Sequence, residues 1–223
     1  MDTTHHRRPL FLIGQFVIGL IVAGALAACG GDDTSSDSGA AKASGNGTDR
    51  AFVAEMIPHH ESAVEMAEIA EDRGQSTFIT ELAGDIISTQ KDEITRLKAI
   101  DSQLDADGIK ATSLGVAEHQ MGMDGDMSKL RTAKPFDRAF IDMMIPHHQG
   151  AIHMARAELA KGSNAKAKQL ATQIIAAQAR EIRAMNKHRT EEFGAASPAG
   201  GVPADDANDG DAMDDAMPGM DHG

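Results

Sequence analysis

The spacing of apolar residues follows a helical period along four stretches of the chain. In the first stretch, small and apolar side chains recur every three to four residues, and acidic side chains fill the opposite face. Gly74, Gly162 and Gly194 follow three of the stretches, which is typical of helix ends. The predicted helices run over residues 49–73, 76–100, 136–162 and 164–193.

The first and third predicted helices carry the same motif. Met-Ile-Pro-His-His occupies residues 56–60 and recurs at 144–148, and the surrounding nineteen-residue segments agree at twelve positions without a gap. The same offset of 88 residues aligns a Gln-x-x-Glu segment at 90–93 with another at 178–181. Each repeat therefore combines a His-His helix with a later Gln-x-x-Glu helix.

The doubled unit predicts an all-α fold. Repeats at about 49–100 and 137–190 each form a helical hairpin, and two amphipathic hairpins bury their apolar faces by packing together. Residues 49–193 are thus predicted to form a four-helix bundle with approximate two-fold symmetry. Pro58 removes one backbone donor inside the first helix, so we expect the helix to kink or restart just before the histidines.

Two further segments lack sustained periodicity. The Met-rich linker 101–134 surrounds His119 with glycine and aspartate and is predicted to be a mobile loop. The acidic segment 194–223 carries Met and His near its end and is predicted to be disordered in the absence of metal. These two clusters are either solvated segments or arms that capture copper.

The N-terminus has the features of a targeting segment. Two arginines precede an apolar run that ends in Leu-Ala-Ala-Cys at Cys29. This resembles a bacterial lipobox, which implies a signal peptide over residues 1–28, lipidation of Cys29, and an extracytoplasmic protein anchored to the cell membrane. Residues 29–48 are then a flexible tether. An uncleaved signal-anchor helix is the alternative, because the apolar run is nearly long enough to span a bilayer.

Charge and cysteine content narrow the possible chemistry. The formal net charge of -13 argues against nucleic acid as a partner and is compatible with cations as ligands. Lipidation would consume Cys29, the only cysteine, so imidazole, carboxylate and thioether remain as metal ligands. The sequence contains no nucleophile triad, phosphate loop or dinucleotide fingerprint, so hydrolase, kinase and dehydrogenase functions have no support.

The interior of the predicted bundle offers a candidate metal site. If the hairpins pack face to face, both His-His pairs approach the level of two inward glutamates, which gives nitrogen and oxygen ligands suited to Cu(II), Zn(II) or iron. Inward methionines add soft donors, which favours copper, including Cu(I). The candidate ligands are His59, His60, His147, His148, Glu93, Glu181, Met56, Met144, Met66 and Met154.

Other interpretations fit the same residues. A methionine stripe at helical spacing is often core packing, and the His-His pairs could form a neutral buried network with Glu93 or Glu181 in a metal-free interaction module of the envelope. A redox enzyme with a di-metal centre is a third hypothesis. If a metal binds, binding should weaken as pH falls through the imidazole range, because the ligands must be deprotonated.

Four motifs within about residues 49–190 resemble the bacterial domain-of-unknown-function family 305: Asp-Arg-Ala-Phe, Met-Ile-Pro-His-His, Ala-x-x-Met-Ala and Gln-x-x-Glu-Ile. The resemblance implies a ferritin-like bundle that is secreted or membrane-anchored, with some members similar to copper-binding proteins. It also implies functional positions at Gln90 and Gln178. A di-iron ferritin site has Glu-x-x-His where this chain has Gln-x-x-Glu, which argues against an oxidase of that kind. The leading hypothesis is a lipid-anchored extracytoplasmic protein that sequesters copper, with zinc or iron as alternatives.

Overall fold

The computed structural model describes residues 44–204, which fold into helices joined by loops. A 3-10 turn at Glu118–Gln120 lies between the second and third helices. The helices are α1 Gly47–Arg73, α2 Thr77–Ala106, α3 Met127–Thr132, α4 Phe136–Lys161 and α5 Ala165–Phe193. The predicted all-α bundle is confirmed. Cys29, with the predicted signal peptide and most of the predicted tether, lies outside the described residues, and within residues 44–204 no helix is both long and apolar enough to cross a membrane.

The four long helices pack as two hairpins. Helix α1 packs mainly on α2, α4 packs mainly on α5, and the contact between α1 and α4 joins the hairpins. The first turn of α1 lies beside the end of α4, because Oδ1 of Asp49 accepts hydrogen bonds from the backbone N–H groups of Ser163 (2.9 Å) and Asn164 (2.8 Å). Helices α1 and α4 are therefore antiparallel, and their central turns, which carry the histidine pairs, meet.

The aspartate that opens the second repeat makes the equivalent contact at the other end of the bundle. The carboxylate of Asp137 accepts hydrogen bonds from the backbone N–H groups of Gln75 (2.8 Å) and Ser76 (2.9 Å). Asp137 is buried, and an ionised acceptor makes stronger hydrogen bonds than a neutral one. The two aspartates thus tie each hairpin to the interhelical turn of the other, a role that the motif alone did not reveal.

A polar layer divides the apolar core into two clusters. One cluster contains Met66 and Met144, and the other contains Met56 and Met154. Along α1, α2 and α5 the residues of one cluster end where the polar residues of the layer begin, and the second cluster follows; α4 has the same order apart from Ile152. The four methionines are at most 1% exposed, so they pack as core residues above and below the histidines.

Helix ends differ in detail from those predicted. Helix α1 begins two residues earlier than predicted, because Asn46 is its cap: Oδ1 of Asn46 accepts from the N–H of Thr48 (2.8 Å). The helix also continues through Pro58 without the predicted restart. Its tight packing on α2 and α4 outweighs the loss of one backbone hydrogen bond. Helix α2 extends to Ala106, beyond the predicted end near 100.

The linker and the start of the acidic tail are more ordered than their composition suggests. Within the linker, Leu114 and Leu130 are 1% exposed and pack into the two core clusters. After α5, the guanidinium of Arg189 donates to the carbonyl oxygens of Ala195 (2.6 Å) and Ala196 (2.8 Å), and residues up to 204 lie against α4 and α5. Helix α5 ends at Phe193 as predicted, and the described residues after it, up to 204, pack on the bundle, while the Met/His end of the tail lies outside the described residues.

A buried carboxyl group breaks the two-fold symmetry. Glu158 of α4 is fully buried, whereas the first repeat has Ala70 at the matching position. Burial and then the neighbouring Asp49 raise the pKa of Glu158 to about 8. At neutral pH Glu158 is therefore protonated, which removes the repulsion between the two carboxyl groups at this end of the bundle.

Candidate metal centre

The polar layer at the middle of the bundle brings together the histidines and glutamates that the sequence singled out. The four histidines are at most 2% exposed, and Glu93 is 6% exposed. Glu181 is half-buried, and Gln90 and Gln178 complete the layer. Helical spacing explains this placement, because the His-His pair and the Gln-x-x-Glu segment each lie at the centre of an amphipathic helix.

Each hairpin contains one histidine–glutamate hydrogen bond. Nε2 of His60 lies 2.8 Å from Oε2 of Glu93, and Nε2 of His148 lies 2.6 Å from Oε2 of Glu181. A carboxylate oxygen accepts, so Nε2 is the donor of each of these bonds and Nδ1 is the ring nitrogen that they leave available. Each glutamate therefore contacts a histidine in the manner of an orienting partner.

The other histidine of the α1 pair, His59, is oriented by the linker. Nε2 of His59 lies 2.9 Å from the carbonyl oxygen of Met121. Because a carbonyl oxygen only accepts, His59 also carries its proton on Nε2 and its lone pair on Nδ1. Among the described residues, no hydrogen-bond partner is found for Nδ1 of His59, His60 or His148.

His147 makes fewer hydrogen bonds through its ring than the other three histidines of the layer. It is 2% exposed, and neither of its ring nitrogens makes a well-formed hydrogen bond within residues 44–204, although the ring interacts with the backbone of His59. A buried polar group without a partner costs about 1–3 kcal/mol. Four imidazoles with unpartnered nitrogens in one layer are consistent with a bound cation.

The layer is arranged as pairs of side chains. The ring centroids of His59 and His147 lie 3.8 Å apart, so these two histidines meet on the symmetry axis between α1 and α4. Their neighbours lie farther away, with 6.2 Å from His59 to His60 and 6.5 Å from His147 to His148. In the described part of the chain, no three His, Cys, Asp or Glu side chains are placed to hold one ion. The sequence predicted convergence of six such ligands, whereas the structure divides them into three pairs.

Burial keeps the central histidine pair neutral. Desolvation and then the neighbouring His60 lower the pKa of His59 to about 3. Desolvation and then His59 lower the pKa of His147 well below its ordinary value. The lone pairs of this pair are therefore not protonated in the ordinary imidazole range.

The depressed pKa values predict that acid destabilises the metal-free protein. Below about pH 6.5 the unfolded chain binds protons that folded His59 and His147 do not, so stability falls from that pH towards about 3. We expect a loss of roughly 2 kcal/mol at pH 5 from His59 alone. Thermal unfolding between pH 7 and 4.5 measures the loss, and the variant His59→Asn/His147→Asn should show a shallower dependence. Equal slopes for the two proteins would contradict the assignment.

Contacts between the linker and α4 were not predicted from the sequence. Gly150 of α4 lies so close to the linker that a Cβ atom at this position would overlap the backbone of Met121. The first repeat has Ser62 at the matching position. A glycine inside a helix costs about 1 kcal/mol relative to alanine, so its presence indicates a close backbone approach.

Solved structures similar to this chain include a copper-binding protein. CopM in its Cu(I)-bound form is 33% identical with a TM-score of 0.56, and the match covers 66% of this chain and 98% of CopM. CopM in its Cu(II)-bound form is 32% identical with a TM-score of 0.57, covering 65% and 97%. A DUF305 protein from Streptomyces coelicolor, assigned as secreted, is 30% identical with a TM-score of 0.58, covering 68% and 95%. Among curated proteins, none matches this chain.

The family assignment agrees with the motifs and with the fold. The match to the family described as Domain of unknown function (DUF305) covers residues 49–189, which includes both repeats. Two of the similar solved structures are DUF305 proteins. The chain belongs to the DUF305 family.

Proposed function

We propose that this protein binds and sequesters copper outside the cytoplasm, with His59 and His147 at the centre of its metal site. The observation that carries the proposal is the buried imidazole layer, in which Nδ1 of every histidine lacks a hydrogen-bond partner within residues 44–204. A metal ion bound to these nitrogens would remove the cost of burying them unpaired.

The protonation state of the central pair supports metal binding. A metal ligand must offer a lone pair, and the lowered pKa values of His59 and His147 keep both imidazoles neutral well below pH 7. The pair therefore needs no deprotonation step at physiological pH.

Glu93 and Glu181 fit the role of orienting groups better than that of direct ligands. Each accepts a hydrogen bond from Nε2 of the adjacent histidine, which fixes the ring and increases the basicity of Nδ1. This proposal differs from the sequence hypothesis, in which both carboxylates bound the metal themselves.

The surroundings of the layer favour copper over zinc. Structural zinc sites use four ligands from Cys, His, Asp and Glu, and no three such side chains converge in the described part of the chain. Met56 precedes His59 by one helical turn and Met144 precedes His147 in the same way, so thioethers flank the central pair. Soft thioether donors select Cu(I).

The similar proteins support both the metal and the compartment. CopM has been solved with Cu(I), with Cu(II) and with silver, and it is about one-third identical to this chain. The Streptomyces coelicolor relative is assigned as secreted. We further propose that residues 1–28 are removed as a signal peptide and that lipidated Cys29 anchors the protein to the membrane, with copper as the ligand of the anchored bundle.

Thermal unfolding of the full-length protein with and without copper tests the proposal. Ligand at 100 times its dissociation constant stabilises the folded state by about 2.7 kcal/mol, so we expect anaerobic Cu(I) to raise the unfolding temperature by several degrees. The variant His59→Ala/His147→Ala should lose this shift, and Zn(II) should give a smaller one in the wild-type protein.

The same measurement separates copper binding from the alternative function. The two histidine–glutamate hydrogen bonds also suit a metal-free polar network in an envelope interaction module. Unfolding temperatures that do not change with copper, zinc or iron would support that network and refute the metal site.

A further inference from the structure

A segment of the linker covers the central histidine pair. This covering segment comprises residues 117–126, which include the 3-10 turn and end where α3 begins. Its Met121 carbonyl contacts His59, and its Gly122 lies so close to α4 that a Cβ atom would overlap Pro146 and the backbone of His147. The segment therefore contacts both imidazole-bearing helices at the level of the pair.

The covering segment is held firmly at its two flanks and weakly in the middle. Leu114 and Leu130 on either side are 1% exposed and pack into different core clusters. Between them, Met121 is partly buried, Met123 is 43% exposed, and residues 124–126 are exposed. The middle can thus move away from the bundle while both anchors stay in place.

A surface cavity lies beside this segment. The cavity has a volume of about 500 Å³ and is lined by both the covering segment and α4. His119 and Asp124 contribute from the segment, and Met143 contributes from α4. Gly122 and Pro146 also line the cavity, and these are the two residues whose close contact separates it from His147.

We propose that the covering segment is a gate, and that copper reaches the His59–His147 pair from this cavity when residues 117–126 lift from α4 at Gly122. The histidines are at most 2% exposed, so an ion needs some part of the protein to move. Displacing α1 or α4 would open the core, whereas lifting the segment breaks one hydrogen bond from His59 and exposes part of Met121. The inference rests on the proposed copper site, whose access it describes.

Donor atoms in the cavity suit an ion in transit. His119 of the gate and Met143 of α4 both line the cavity, and both are residue types that bind copper. Among the described residues, no three His, Cys, Asp or Glu side chains converge on one point of this cavity. This agrees with a cavity through which the ion passes and not with one that stores it.

Two glycine substitutions test the gate from its two sides. Gly122→Ala adds a methyl group on the segment, and Gly150→Ala adds one on α4, where alanine also favours the helix. Either methyl group collides with the closed arrangement and should raise the population of the open gate. Gly108→Ala is the matched control, because Gly108 has a similar positive φ of 70°, lies in the same linker, and has no atom within 4 Å of the position that a methyl group would occupy.

The first readout is the rate at which the full-length protein takes Cu(I) from a coloured bicinchoninate complex in stopped flow. If loading tracks the open population, both gate variants should load at least roughly tenfold faster than wild type, with unchanged copper stoichiometry. Gly108→Ala should load at the wild-type rate. Wild-type rates in both gate variants, or equal acceleration in the control, would overturn the gate.

The second readout needs no copper. Diethylpyrocarbonate modifies accessible imidazole nitrogens, and peptide mass spectrometry reports the modification rate of His59 and His147 in the metal-free protein. Both rates should rise in Gly122→Ala and Gly150→Ala only. Faster modification in a protein that binds no copper would retain the gate and reject the copper site, whereas unchanged modification would reject the gate alone.

Discussion

Replacing His147 by alanine is expected to weaken Cu(I) binding by the full-length protein at least about 100-fold, which corresponds to roughly 2.7 kcal/mol. His147 is buried, makes no well-formed hydrogen bond through either ring nitrogen within residues 44–204, and lies 3.8 Å from the His59 ring. The substitution removes one of the two proposed nitrogen ligands without breaking a well-formed hydrogen bond of the described structure. Competition with a Cu(I) chelator of known affinity measures the change.

Two further variants serve as comparisons for His147→Ala. Glu181→Gln keeps an acceptor for Nε2 of His148 and should weaken binding only about tenfold, as expected for an orienting group. His188→Ala removes a histidine that stacks on Phe78 near the end of α5 and should leave affinity unchanged. Equal losses in His147→Ala and His188→Ala would show that copper binds elsewhere on the chain.

Replacing Asp137 by alanine should destabilise the metal-free bundle by about 3 kcal/mol. The substitution removes the acceptor of two backbone N–H groups, those of Gln75 and Ser76, at 2.8 Å and 2.9 Å. These groups belong to the turn between α1 and α2, so the hairpins lose one of their two reciprocal ties. Urea unfolding monitored by circular dichroism gives the change in the free energy of unfolding.

The control for this prediction is an aspartate on the surface of the same bundle. Asp85 of α2 is exposed, and Asp85→Ala should change stability by less than about 0.5 kcal/mol. Asp137→Asn retains one side-chain oxygen that is a good hydrogen-bond acceptor. Its free energy of unfolding should therefore lie between those of Asp137→Ala and Asp85→Ala. If Asp137→Ala were about as stable as Asp85→Ala, the hydrogen bonds of Asp137 would not stabilise the bundle as predicted.

The placement of the histidine layer follows from local patterns. Helical periodicity puts the His-His pairs and the Gln-x-x-Glu segments at the centres of their helices, and the repeat makes the two hairpins alike. Antiparallel packing then brings the centres together. The bundle and the residues of the layer could therefore be predicted from the sequence, because each depends on spacing within one helix.

Distances across the bundle could not be predicted in the same way. Periodicity places Glu93 inside but does not decide whether it faces an ion or Nε2 of His60, and the 2.8 Å hydrogen bond depends on rotamers and interhelical distance. Likewise, the lowered pKa of His59 could not be predicted without knowing that its side chain is completely buried.

The order of the linker and of residues 194–204 was missed for a different reason. The linker contacts His59 through the Met121 carbonyl, and a backbone contact leaves no side-chain signature at that position. The only sequence signal is Gly150, a glycine within α4. Residues 195–196 are fixed by Arg189 of the preceding helix α5, so their order depends on a side chain of that helix and not on their own composition.

The central claim, that the buried imidazole pair binds copper, is tested most directly by X-ray absorption at the copper K-edge. The full-length protein and its His59→Ala/His147→Ala variant would each be loaded with one equivalent of Cu(I). The wild-type spectrum should contain the outer-shell scattering of imidazole rings, and the variant should lose it. Spectra that are the same for both proteins, whether dominated by sulfur or by nitrogen, would contradict the account.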